Sequence, residues 1–409
     1  MRQKKCWFTL SGILAVLTVA LMLSAQAAAA GKYKILHRFT GGLDGADPIA
    51  SLISDADGNL YGTTFGGGGS ENHGTVFKMT RNSDGTWTES QLHRFAGSSD
   101  GHSPAAGLIF DASGNLYGTT VLGNVYKLTP NSDGSWTEHT LYNFANGDDG
   151  GAPRGGVILD AAGNLYGTGS NFGANGFGVV FKLTPNSNGT WTESVLYAFT
   201  GGSDGHFPEA SLIFDSTGNL YGTTAAGGDF GACPSGCGVV FKLAPNSDGT
   251  WTESVIHSFN SGDGNNPSAG LIFDSAGNLY GTTISGGIIG FGVVFKLKPN
   301  SDGTWTERSL HSFANHPAAF PFAGVIFDAA GNLYGTTVNS SPVDGGTVFK
   351  MTPNLNGSWA FSVLHLFHGD PALHPFGGLV RDKAGNLYGT TADCASGTGC
   401  QGVVYEVTP

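Results

Sequence analysis

The chain alternates short apolar runs with turn signals and never settles into a helical period. One copy runs Ser211-Leu212-Ile213-Phe214-Asp215, then Asn219-Leu220-Tyr221-Gly222-Thr223-Thr224, then Gly238-Val239-Val240-Phe241-Lys242-Leu243, then Trp251 through Phe259. These runs are rich in Val, Ile, Phe, Tyr, Thr and Trp and are divided by turn residues, which predicts four short β-strands. No ten-residue stretch with helical periodicity follows residue 30. Gly-Asn-Leu-Tyr-Gly-Thr recurs at Gly58, Gly114, Gly163, Gly218, Gly277, Gly331 and Gly385, with spacings of 56, 49, 55, 59, 54 and 54. Periods of this size mean a solenoid, an array or a propeller, and four strands per unit is a propeller blade.

The turns fit that reading. Asp-Gly in Pro245 to Trp251 is a hairpin signal between two strands. Asp55, Asp111, Asp160, Asp215, Asp274, Asp328 and Asp382 each open an Asp-x-x-Gly-Asn turn. An Asp there bonds the turn backbone two residues on, and one active site has no use for seven identical carboxylates.

The two ends complement each other. Trp87, Trp136, Trp191, Trp251, Trp305 and Trp359 each open a fourth strand, but the seventh copy stops after its third, Val403 to Val407. Tyr33-Lys34-Ile35-Leu36-His37-Arg38-Phe39 matches the end of a fourth strand, Val363 to Phe367. The first strand of the chain therefore completes the last blade, and the expectation is an all-β, closed seven-bladed β-propeller over residues 31–409. His37, His93, Tyr142, Tyr197, His257, His311 and His365 share one position in the fourth strand, at the blade rim. They read as packing and hydrogen-bonding residues.

Residues 1–30 read as an export signal: Arg2, Lys4 and Lys5, an apolar run from Trp7 to Leu23, and a small-residue stretch cut after Ala27 or Ala30. An uncleaved membrane anchor is the alternative. Secretion or a periplasmic location follows, and the four cysteines beyond Cys6 suit it. Cys233 with Cys237 and Cys394 with Cys400 are the simplest disulfides; zinc is the alternative, but neither pair has a His beside it.

Composition narrows the partners. Gly makes up 67 of 409 residues and charged residues only 12%, which suits a turn-rich protein with ample core. Beyond residue 30 there are 16 basic and 31 acidic side chains. Without a basic stripe, nucleic acid and anionic membrane surfaces are poor partners. A monomer is the expected state.

The repeat, written Leu-Ile-Phe-Asp, Gly-Asn-Leu-Tyr-Gly-Thr-Thr and Gly-Val-Val-Phe-Lys-Leu, resembles the GloVer tandem repeat of exported bacterial proteins over essentially all of residues 32–409. The resemblance implies an exported propeller, often joined to a C-terminal sorting anchor, and no activity. This chain ends at Pro409 directly after a strand, so attachment by that route is not expected. The Asp-x-x-Gly-Asn-Leu-Tyr piece also looks like a strand pair of NHL-type propellers, which supports the architecture and no chemistry.

In a blade whose first strand lines the channel, the fourth-to-first link and the second-to-third loop share one face. Sequence variation concentrates in the second-to-third loop, from Val121–Asn124 in copy two to Ala225–Gly238 in copy four. Binding groups gather on loops carried by rigid scaffolds. The residues that break the repeat there are Phe65, Glu71, Asn72, His73, Phe172, Asn175, Phe177, Asp229, Phe230, Phe291, Asp344 and Asp393. Aromatic rings beside Asn and Asp suit sugar recognition, with rings on C–H faces and polar groups on hydroxyls; the bland alternative is that these loops only cover the blade tops. Asp44, Asp100, Asp149, Asp204 and Asp263 open Asp-Gly-x-x-Pro links, which admit calcium but read first as turns. Arg154 and Glu209 are unique after the link proline and are the candidates for acid–base work. No second carboxylate completes a glycosidase pair there. The expected function is a binding module for a polysaccharide or an envelope protein. The alternatives are a hydrolase or lyase at the channel mouth and a structural surface protein.

Overall fold

The computed structural model describes residues 32–97, 100–340, 345–368, 372–394 and 399–409. The expected export segment, residues 1–30, lies outside them. Among the described residues, seven four-stranded antiparallel sheets form seven blades, as predicted. Six are contiguous in sequence. The seventh joins both ends: Lys32–Arg38 pairs antiparallel with Val403–Thr408, with Lys32 opposite Thr408 and Arg38 opposite Val403. The six tryptophans each open a fourth strand, also as predicted.

The repeated motif builds the first hairpin of each blade. In the fourth blade, Asp215 Oδ1 accepts from the amides of Thr217 and Asn219 at 2.9 and 3.0 Å. Its Oδ2 accepts from Asn219 Nδ2 at 2.7 Å and from the Tyr221 hydroxyl at 3.1 Å. Burial resists ionisation of Asp215, but these donors outweigh it and hold the pKa at about 2. Gly218 supplies the left-handed φ of +86° that the turn needs. Gly222 faces the Phe241 ring, where a Cβ would come within 2.5 Å. The Tyr-to-Asp bond recurs in all seven blades at 3.0–3.1 Å.

First strands are only two residues long, as in Ile213–Phe214, shorter than the apolar run suggests. The residues just before them leave the ladder and line the axis. Fourth strands, such as Trp251–Ser258, run eight residues along the rim. There, Tyr142 and Tyr197 donate to the link carboxylates of Asp149 and Asp204 at 3.0 Å. The links into the sixth and seventh blades lack that Asp. His311 stacks instead on Phe361 at 4.2 Å, and His365 on Tyr33 at 4.0 Å. Burial pushes both imidazoles down to about 4, with the charge of His368 adding to the effect at His365. The rim series thus packs and bonds as its position suggested.

Two rings of contacts hold the blades together. The Phe after each fourth strand meets a third-strand ring of the next blade, as Phe199 meets Phe241. All seven seams show this contact at 4.9–5.4 Å between centroids. Each pair contributes about 0.5–1.5 kcal/mol beyond its buried area. Nearer the axis, Thr63, Thr119, Thr168, Thr223, Thr282, Thr336 and Thr390 each donate to a backbone carbonyl of the following blade at 2.9–3.3 Å.

Candidate functional site

The two variable connections do share one face. Link and loop are bridged at Ala46–Gly66, His206–Ala226, Asn265–Ser285 and Leu373–Asp393. The residue before each link proline has a left-handed φ: Asp47, Ser103, Ala152, Phe207, Asn266, Phe320 and His374 lie between +47° and +62°. Such backbone is strained for any residue but Gly. Its sevenfold repetition marks it as architecture, used to turn each link toward the axis.

After each proline, three residues, or two in the seventh copy, line an axial channel of about 180 Å³. The second and third are Gly, Ala or Ser, because seven backbones converge there. A Cβ on Gly155 would meet the Ala210 carbonyl at 2.5 Å. The first residue of each triplet forms the mouth: Ile49, Ala105, Arg154, Glu209, Ser268, Phe322 and Phe376. Arg154 Nε lies 3.6 Å from Glu209 Oε1, and Ser268 Oγ lies 3.2 Å from Glu209 Oε2. Phe322 and Phe376 meet edge to face at 5.0 Å. The mouth is therefore polar over three consecutive blades and aromatic over the next two. Glu209 is the one carboxylate among the described residues that line the channel. Two-carboxylate glycoside hydrolysis needs a second.

The loop candidates divide into two groups. Most polar ones are occupied by groups of their own loop or of the adjoining link or strand. Asn72 Oδ1 accepts from the Gly67 amide at 2.5 Å, and Asn175 Nδ2 donates to the Ala198 carbonyl at 3.2 Å. Asp229 Oδ1 accepts from the Gly231 amide at 2.7 Å, and Asp393 Oδ2 lies 2.9 Å from His374 Nδ1. His73 stacks on His102 at 5.2 Å, while Glu71 is exposed and accepts from Ser70 Oγ at 3.3 Å. Asp344 lies outside the described residues. The link carboxylates behave similarly: Asp149 accepts from the amides of Ala145 and Gly147 at 2.7 and 3.1 Å. Among the described residues, no group of three or more His, Cys, Asp and Glu is placed to hold a metal ion.

The apolar candidates face outward. Phe65, Phe172, Phe177 and Phe230 are exposed, whereas Phe291 is half-buried against Phe320 at 5.5 Å. Sequence reasoning missed Leu43, Leu122, Phe207, Ile288, Ile289 and Phe322, which are exposed on the same face, Ile288 at 87%. Elsewhere, the exposed large apolar residues among those described are Val195, Val255 and Leu355. The missed signal was a run of aliphatics inside loops, Ile288-Ile289 above all. Both expected disulfides form, Cys233–Cys237 and Cys394–Cys400. Cys237 is fully buried, and its carbonyl accepts from the Asn266 amide at 3.0 Å, which ties the longest loop to the next link.

The sequence profile of the Gloeobacter/Verrucomicrobia repeat matches residues 25–233 and 231–409. The chain belongs to this family. Each of the two matches spans several copies of the motif read from the sequence, and every copy builds one blade. No curated protein matches the chain in sequence. Among solved structures, the extracellular domain of a protein assigned as a hybrid two component system, from B. thetaiotaomicron, is similar with a TM-score of 0.54 at 14% identity. The match covers 93% of this chain and 41% of that one, so this chain spans less than half of that length. A protein of unknown function from Dyadobacter fermentans matches at 12% identity and TM-score 0.47, over 92% of this chain and 98% of its own. A luciferin-regenerating enzyme matches at 15% identity and TM-score 0.44, over 74% and 90%. The first likeness shows the fold alone.

Proposed function

We propose that this member of the Gloeobacter/Verrucomicrobia repeat family is an exported binding module that docks a protein of the cell envelope on its loop-bearing face. The carrying observation is the concentration of exposed large apolar side chains there, including Leu43, Leu122, Phe230, Ile288 and Ile289. Exposed large apolar side chains gathered on one face mark an interaction site. Exposed aliphatics favour a protein over a polysaccharide, because sugar recognition relies on rings flanked by free hydrogen-bonding groups. Here Asn72, Asn175, Asp229 and Asp393 already bond to neighbouring loop, strand or link groups. Export is supported by the charged and apolar segment at residues 1–30 and by two disulfides, which persist in oxidising compartments.

The test presents residues 31–409 to an envelope extract with cross-linking and mass spectrometry, beside a glycan array. The expected result is one stoichiometric protein partner, lost from a Phe230→Ser, Ile288→Ser, Ile289→Ser variant that melts like the parent. Specific glycan binding without a protein partner, or capture unchanged by the triple variant, overturns the reading.

A further inference from the structure

At the hairpin end of the blades, opposite the loops, the seam between the last and first blades holds a cavity of about 420 Å³. Repetition explains its position. The second residue of a first strand is usually a ring that covers the motif tyrosine of the preceding blade. Phe110 meets Tyr61 at 5.0 Å, Phe214 meets Tyr166 at 5.1 Å and Phe273 meets Tyr221 at 5.2 Å. The first blade has Ser54 at that position, so Tyr388 lacks this ring and a cavity opens beside it.

Three cations line the cavity: Arg81, Arg381 and Lys383. All three depart from the repeat. Arg81 stands where the other six copies have Pro, and Lys383 where they have Ala or Ser. Arg381 stands where four copies have Phe. None of the three takes part in an ion pair among the described residues. Of the lining acids, Asp55 and Asp382 are occupied by their Asn and Tyr donors. Asp57 is exposed and departs from the Ser, Ala or Thr of the other copies. The lining thus balances three cations against three carboxylates, in a chain of net charge −12, and the cations are free of ion pairs among the described residues while two of the carboxylates are held by their own donors.

We propose that this cavity binds a small oxyanion-bearing ligand. Arg81, Arg381 and Lys383 receive the anion, and Asp57 accepts from ligand hydroxyls. The volume lies within the usual range of small-molecule sites, about 300–1,000 Å³. Guanidinium groups suit carboxylate and phosphate because their donors form a planar fork. A uronic acid matches both the cations and Asp57; inorganic phosphate matches the cations alone. The site does not depend on the docking face proposed above.

Calorimetric titration of residues 31–409 at low salt with D-galacturonate, inorganic phosphate and D-galactose tests this. One-site binding of galacturonate, weaker binding of phosphate and no heat with galactose are expected. S54F installs the ring used by four of the other blades and should abolish binding. R81P and K383A install residues of the other repeats and should each weaken it about tenfold. High salt should weaken it as well. Binding of phosphate without galacturonate upholds the oxyanion site and removes the sugar. Absence of binding by both anions overturns the proposal, as does galactose binding equal to galacturonate. Binding unchanged in K383A, whose exposed turn tolerates Ala in four other copies, also overturns it, and decides the matter if S54F does not fold.

Discussion

The Thr390 hydroxyl donates to the Ala50 carbonyl at 3.0 Å, across 340 residues of sequence. It is the same bond that Thr223 makes to Ala269 between neighbouring copies, at 3.2 Å. The closure seam is therefore chemically equivalent to an internal one near the axis. Thr390→Val should cost about 1 kcal/mol, because it removes a buried hydrogen bond and leaves the Ala50 carbonyl without its donor. Thr223→Val should cost the same amount. Urea unfolding of the two variants checks this; a much larger loss at Thr390 would make closure a special weak point.

Two third-strand positions carry Tyr where the other five carry Phe: Tyr126 and Tyr405. Both side chains are fully buried, and their hydroxyls have no hydrogen-bond partner among the described residues. Tyr405→Phe should stabilise the protein by about 1 kcal/mol, since the ring remains and an unsatisfied polar group is removed. Thermal denaturation reads the effect. A loss of stability would mean that an ordered water serves the hydroxyl.

Glu193 gives a pH signature. Burial first, and then the charge of Asp149, raises its carboxyl to about 7. The unfolded chain ionises it near 4.5. Its contribution to stability is therefore full below pH 4.5 and is lost as pH rises through 7. Glu193→Gln should raise stability at pH 8 by about 1 kcal/mol after solvent screening, with the gain shrinking toward pH 5. Melts across that range check the sign. His311, held near 4, has the opposite slope: its contribution is full above pH 6.5 and falls as pH drops toward 4.

Arg154 and Glu209 form a half-exposed pair at 3.6 Å, with Arg154 half open to solvent. Glu209→Gln should change stability by less than about 0.5 kcal/mol. A loss several times larger, measured by denaturant unfolding, would make the pair a structural brace of the channel mouth.

The blades were readable because each motif residue answers a backbone demand. Asp215 accepts the turn amides, Gly218 takes the left-handed φ, and Gly222 clears the Phe241 ring. Closure was readable because Tyr33 to Phe39 repeats the end of a fourth strand. Both disulfides followed from local spacing. The candidate site was less legible. Asn72 looks like a free polar group in sequence, yet its partner is the Gly67 amide, five residues back, which the folded loop brings within reach. Phe322 and Phe376 read as ordinary link residues until the ring sets them edge to face. The seam cavity arises from a side chain that is missing at Ser54, and an absent ring barely alters an apolar run.

The pairing of Lys32–Arg38 with Val403–Thr408 also sets an order of events. Among the described strands, the first of these precedes all others along the chain and the second follows them. Lys32–Arg38 has no partner strand until Val403–Thr408 is available, whereas the six other blades draw all their strands from contiguous sequence. The ring cannot lock until Val403–Thr408 has emerged. The seam that locks last is also the one that carries the Ser54 cavity, so any ligand held there would report that the chain has finished assembling.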